Sequence, residues 1–438
     1  MMNKNLSNGV AVNKMKSTAG EEIPFVDVCY SLYLFTVRLY KNLIENEVKD
    51  VFFFAREGQP LKKMFDFYQS MLDGGSLVKT HYLKVSRRST FLLSLGPLAE
   101  EDFSVLFRQY RKISISDFLK SLDLVEYAAP IAAELGIGVE DFSVVSEDLP
   151  KDQLFQKMLQ LEIFREIYED QRVERSSAFG SYLKGLLGSI TLPEALHVVD
   201  VGWKGSIQDN IYHWMRRGKS ENAKVQGYYL GLIAQGAHAE NNIKDGLLFS
   251  SIGGRTPGFQ VFNENRSLYE IILHADHGSA RGYIFSDLGE VIVVEDDFIE
   301  GAMIFENVQP VSISVMEKFK SVASEACKSK ISDAELLRIA IDQHGRMVFN
   351  PSNKEIDWIF SVSHVENFGV FEESRFSRSE VPFSIVKKLR FTWNLVLMRR
   401  PSQLGFWPWL TIQRNALPGI GSLYGLFRRW QSRSKNIA

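Results

Sequence analysis

Apolar residues along this chain recur with two periods, and the chain's most informative residues lie where one period gives way to the other. Tyr30, Leu34, Val37, Tyr40 and Leu43 stand three or four apart, which puts them on one helix face, and the polar stretch 45–50 ends that helix. Val51-Phe52-Phe53-Phe54-Ala55 then runs apolar without interruption, as a strand buried on both faces does, until Arg56-Glu57-Gly58 closes it. Leu61, Met64, Phe65 and Tyr68 resume helical spacing. The residues from His81 to Val85 predict a second strand, which runs into Ser86-Arg87-Arg88. Leu196 to Asp200 predicts a third strand. It is followed by Gly202-Trp203-Lys204-Gly205-Ser206 and an amphipathic helix through Ile207, Ile211 and Trp214. Val225 to Ile233 predicts the next strand. Units of strand, loop and helix in series predict an α/β fold on a mostly parallel, doubly wound sheet.

Helical spacing fills the stretch from about 100 to 190, which predicts a helical insertion in the α/β domain, and it returns from 296 to 380 as a helical accessory region. The expected organisation is a disordered polar leader (1–20), the α/β domain with its insertion (21–295), the accessory region, and a tail (381–438). No apolar run reaches the roughly 18 residues of a membrane-spanning helix, and the leader lacks the apolar centre of a signal peptide. A cytoplasmic protein is therefore expected. Cys29 and Cys327 are the only cysteines, which argues against a metal cluster or a disulfide framework.

Charge changes the picture of the tail. Residues 381–438 hold ten Lys or Arg and no Asp or Glu, leaving the preceding 380 residues with 41 basic and 53 acidic side chains, a net −12. Trp393, Trp407, Trp409 and Trp430 lie in the same tail among Lys387, Lys388, Arg390, Arg399, Arg400, Arg414, Arg428 and Arg429. Tryptophan beside basic residues predicts contact with an anionic bilayer, at the inner face of the cytoplasmic membrane; packing of these aromatics on the acidic body is the alternative. An acidic body repels nucleic acid, so no such partner is expected.

In an open parallel sheet, ligands bind beyond the carboxyl ends of the strands, where helix N-termini present unpaired amide groups. Three loops stand at predicted strand ends. Arg56-Glu57-Gly58 puts a cation beside a glycine that lets backbone amides approach an anion. Arg87 and Arg88 offer two guanidinium groups, which suits a diphosphate. Asp200 followed by Gly202, Lys204, Gly205 and Ser206 combines an acid, an anion loop and a helix start. Turns with local ion pairs and solvated strand ends are the simpler readings of the first two. Glu270, His274 and His277, with Asp276 and Ser279, form a further polar cluster that would cap a helix or serve as acceptor-binding and general-base groups.

The segments FFFAREGQPL, YLKVSRRS and VVDVGWKGSIQ resemble those of bacterial polysaccharide-biosynthesis phosphoribosyltransferases of the type I phosphoribosyltransferase kind, often associated with haloacid-dehalogenase-type phosphatases. The likeness spans about residues 25–285. It implies a phosphoribosyltransferase-like fold. The reaction it implies transfers 5-phosphoribose from phosphoribosyl pyrophosphate to a sugar hydroxyl of a lipid-linked surface glycan, O-antigen or capsule, with Mg2+. It further implies that Arg56, Glu57, Gly58, Arg87 and Arg88 hold the pyrophosphate. Asp200 would hold the ribose hydroxyls or the Mg2+, and Gly202, Lys204, Gly205 and Ser206 the 5-phosphate. The family has two adjacent acids at the third strand end, where this chain has Asp200-Val201 and a shorter loop. Two other readings are a haloacid-dehalogenase-type phosphatase, which needs a second acid where Gly202 stands, and a non-catalytic scaffold of a polysaccharide assembly complex.

Overall fold

A computed structural model describes residues 23–72, 77–108, 110–218, 222–234, 236, 239–362, 384–397 and 404–434; the expected leader (1–20), residues 363–383, Arg399 and Arg400 lie outside the described residues. Helix α1 (Val28–Glu45) leads into β1 (Asp50–Phe54), α2 (Gly58–Ser70), β2 (Lys79–Leu83) and α3 (Arg87–Ser94). The long helix α4 (Glu162–Leu187) closes the insertion and is followed by β3 (Ala195–Asp200), α5 (Ser206–Gly218), β4 (Lys224–Leu232) and β5 (Asn242–Ser250). These strands form one five-stranded sheet, every pair parallel, in the order β2-β1-β3-β4-β5. The expected α/β class is met, and the strand predicted at 81–85 sits two residues earlier.

The period of two in β1 explains the layering. Phe53 packs with α1 and α2, through Leu61, Met64 and Phe65, while Phe52 and Phe54 pack on the other face with Phe179, Ile211 and Trp214. Both faces are covered, so the strand reads as continuous apolar sequence. Phe53 is fully buried, and Phe53→Ala would cost about 3–5 kcal/mol through the cavity left under α2.

Three strands were not foreseen, the edge strand β5 and two more outside the sheet. After α6 (Ser267–Ile272), β6 (Ala280–Phe285) and β7 (Val291–Glu295) form an antiparallel hairpin that rests on α3 and α4. Tyr283 of β6 enters the core beneath the sheet and donates its hydroxyl to the Lys84 carbonyl at 2.7 Å. The insertion has a core of its own, in which Phe103, Phe107, Phe118 and Phe155 pack edge to face or stacked.

The accessory helices α7 (Gln309–Ser329), α8 (Asp333–Phe349) and α9 (Asn353–Val362) join α1 in the main core. Beyond them, α10 (Ile385–Val396), α11 (Pro408–Asn415) and α12 (Ile420–Ser434) make up the described part of the tail. Here expectation and structure part. Trp407 is wholly buried, with its indole N–H on the Val348 carbonyl at 2.9 Å, and Trp409 is also buried, so neither can sit in a bilayer. Both belong to the main core, their segment packing on α8 while α12 packs on the short helix at Phe259–Phe262. Trp393 and Trp430 remain exposed.

Candidate active site

Helix α2, which follows β1, lies on one face of the sheet, and α5, which follows β3, lies on the other, although β1 and β3 are neighbours. Their connecting loops therefore diverge at the carboxyl ends of the strands and leave a crevice between them, the switch point of a doubly wound sheet. Asp200, the last residue of β3, stands there. One of its carboxylate oxygens accepts the Val201 N–H at 2.8 Å. Burial, with the Glu57 carboxylate next in importance, pushes its pKa from 3.8 up to about 8, while the Val201 and Gly202 amides and the Arg87 guanidinium act in the opposite direction. The first, second and third strand-end loops thus supply Glu57, Arg87 and Asp200 to one electrostatic cluster. Glu57 as the second acid escaped sequence reasoning, because it lies far from Asp200 along the chain.

The loop after β3 needs its glycines. Gly202 has φ +137°, and a Cβ there would stand 2.2 Å from the Gly231 carbonyl oxygen of β4; at Gly205, φ +71°, it would stand 2.7 Å from the Tyr229 hydroxyl. The loop thereby lies flat on β4 and releases the chain into α5 with the side chains of Lys204 and Ser206 exposed. A buried amide braces it: Gln208 donates to Asn242 and to the Ile243 carbonyl, each at 2.8 Å, and accepts from the Tyr229 hydroxyl. Lys244 adds a contact to Asp209 at 2.5 Å and another to the Lys204 carbonyl at 3.2 Å. Neither Gln208 nor Lys244 stands out in the sequence, since β5 is broken by Lys244-Asp245-Gly246 and lacks a strand's apolar run.

The other predicted residues divide between open and occupied. Arg87 is exposed, with no ion pair among the described residues, whereas Arg88 bonds Asp123 and, at 3.1 Å, Asp296. Asp123 also takes Arg175 and Arg281, each at 2.8 Å, so Arg88 ties the insertion and the hairpin to the sheet. Arg56 pairs with Glu300 at 2.7 Å, and Gly58 opens α2 as a buried residue. Glu270 accepts the indole N–H of Trp203 at 3.0 Å, which orients a ring stacked on Phe249. The Tyr82 hydroxyl meets His277 Nε2 at 2.7 Å, and His277 Nδ1 meets the Gly278 carbonyl at 2.7 Å, so both ring nitrogens are engaged. His274 has Nδ1 near the Ser312 hydroxyl at 3.4 Å, and burial lowers its pKa, leaving a neutral ring.

Chemically, this is a crevice in which the Glu57 carboxylate disfavours charge on Asp200, with one open guanidinium and the N-termini of α2 and α5. Among the described residues no three His, Cys, Asp or Glu side chains group to hold a metal by themselves. Asp200 and Glu57 still fit Mg2+, which takes one or two carboxylates and fills its remaining positions with water and phosphate oxygens. A cation there would relieve the repulsion between them. Comparison with protein-family models and with curated proteins finds no match to this chain. No helix among the described residues is long and apolar enough to cross a membrane.

Proposed function

We propose that this protein is a phosphoribosyltransferase-like enzyme that moves 5-phosphoribose from phosphoribosyl pyrophosphate to a hydroxyl of a bacterial surface glycan carried on a lipid. The observation that carries the reading is the meeting of Glu57, Arg87 and Asp200 at the switch point of the sheet, beside a two-glycine loop opening α5. In the reaction the bond from the ribose anomeric carbon to pyrophosphate breaks with its electron pair on pyrophosphate. The bond to the acceptor oxygen forms, and the acceptor's proton leaves. Arg87, with the amides at the start of α2, takes up the charge of the departing pyrophosphate. The backbone amides between Gly202 and Ser206, with Lys204, receive the 5-phosphate. Asp200 and Glu57 hold the ribose hydroxyls and Mg2+, which supplies positive charge to the leaving group when bound. His274 is the better-suited proton acceptor of the candidates, because burial keeps its ring neutral while both ring nitrogens of His277 are engaged and Glu270 is bonded to Trp203. Arg88 acts through the ion network rather than on the donor alone. The product keeps its 5-phosphate, so a phosphatase of the haloacid-dehalogenase type is the fitting next enzyme.

The test is incubation with phosphoribosyl pyrophosphate, Mg2+ and a panel of synthetic glycan acceptors, followed by mass spectrometry. Addition of one ribose phosphate together with pyrophosphate release is expected. Intact donor in the presence of every acceptor, with no donor binding, would refute the reading.

A further inference from the structure

The tail is divided in its loyalties. Trp407, Trp409, Leu410 and Ile412 face the body and are buried, and the Leu417 N–H reaches back to Thr392 of α10 at 2.9 Å, which joins that helix to the anchored segment. The outer sides of α10 and α12 are different. On α10, Ile385, Val386, Leu389, Trp393 and Val396 are between 50% and 74% exposed. At 3.6 residues per turn they fall within an arc of about 100°. On α12, Leu423, Leu426, Phe427 and Trp430 are between 53% and 64% exposed and share an arc of about 100°. Folding leaves these side chains in water, although isolated exposed apolar residues are the usual pattern and contiguous faces are not. Arg390 stands at one edge of the α10 face, with Lys387 further round the same side, and both are exposed, whereas Arg428 and Arg429 of α12 turn inward to Glu264 and the Gly345 carbonyl. The whole of 381–438 contains no acidic residue.

From this we propose that the outer faces of α10 and α12 form a docking surface for an anionic lipid bilayer, in which both helices lie along the headgroup boundary. Charge complementarity selects the occupant. An apolar face edged by lysine and arginine fits the interface of acidic phospholipids, with Trp393 and Trp430 at the level where indole rings settle. Binding uses only half of the tail's tryptophans, because Trp407 and Trp409 hold the device to the enzyme. The surface stands independently of the phosphoribosyl reading.

Removing the tail at 381 would strip Trp407 and Trp409 from the core, so the test uses point variants of the full chain. Co-sedimentation is measured with phosphatidylcholine vesicles and with vesicles containing phosphatidylserine, at low and high salt, together with sedimentation velocity without lipid. Wild type is expected to bind the anionic vesicles at low salt and to release as salt rises. Trp393→Glu with Trp430→Glu should abolish binding. Lys387→Glu with Arg390→Glu should weaken it by about 25-fold or more, at about 1 kcal/mol for each basic residue near the surface. Melting temperatures and donor binding should be unchanged in both pairs; if the tryptophan pair melts early, the charge pair decides. The proposal is overturned if wild type ignores anionic vesicles at low salt, or if both well-folded pairs bind like wild type. A lipid-free dimer that the same substitutions dissolve, without vesicle binding, would instead assign the faces to a second copy of this chain.

Discussion

Two carboxylates lie deep in this protein in contrasting surroundings. Asp200 ends β3 in the crevice, and Glu264 lies beneath the tail; burial raises the pKa of both, to about 8 and about 7. Their surroundings differ. Glu264 accepts the Trp409 N–H at 2.8 Å and the Tyr424 hydroxyl at 3.0 Å, and Arg428 stands 3.5 Å away. Asp200 has amides of its own loop and, as the charge that most affects it, another carboxylate. A buried acid surrounded by donors from a distant segment is a clamp. One left beside a like charge is waiting for a cation or a hydroxyl, and enzymes concentrate such unfavourable arrangements at their sites.

Substitution should separate the two. Asp200→Asn is expected to lower transfer by about 10³-fold or more while the fold is retained, since a positioned charge that stabilises a transition state is lost; turnover near wild type in the mass-spectrometric assay would break the comparison on this side. Glu264→Ala should leave the donor chemistry intact and destabilise the protein by about 3–5 kcal/mol in chemical denaturation, because Arg428 is left without its buried partner. Protease cleavage in the 404–434 segment should rise with it. An unchanged denaturation midpoint would show that Glu264 is no clamp.

Smaller effects sharpen the contrast. Arg87→Ala should weaken donor binding by about 1.5–3 kcal/mol at unchanged stability, whereas Arg88→Ala should cost stability as well, since Asp123 and Asp296 lose a partner. Equilibrium titration beside thermal melting of both variants distinguishes these outcomes. The last effect, a few degrees in melting temperature, is that of pH on the donor-free protein. Asp200 ionises at about 3.8 when unfolded and near 8 when folded, so the native state holds the extra proton across that interval and stability falls as pH rises through it. Asp200→Asn should therefore raise the melting temperature more at pH 8.5 than at pH 5, by about 1 °C for each kcal/mol. Equal shifts at both values would mean that the carboxyl is not protonated in the fold.

Much of this was legible in the chain. The unbroken apolar run at Val51–Phe54 and the acid-glycine sequence after Val199 announced buried strands ending in loops, because a parallel strand must be apolar on both faces. Strand β5 was hidden by Lys244-Asp245-Gly246, which an edge strand tolerates, and the hairpin β6–β7 by its exposed outer residues. The pairing of Glu57 with Asp200 was hidden by distance along the chain: only the neighbourhood of β1 and β3 in the sheet brings them together. In the tail, composition showed basic and aromatic residues but not which tryptophans turn inward. That depended on Glu264 and Val348, whose bonds to Trp409 and Trp407 could not be read from local sequence.

On the proposed function, Asp200 is held protonated until the donor and its metal bind. Calorimetric titration of phosphoribosyl pyrophosphate with Mg2+ at pH 7, repeated in buffers of different ionisation enthalpy, measures the protons exchanged on binding. A carboxyl with a pKa of about 8 must lose its proton to take the cation or accept from a ribose hydroxyl, so wild type should release close to one proton and Asp200→Asn should release about one fewer. Tight donor binding with the same proton exchange in both proteins would contradict the account.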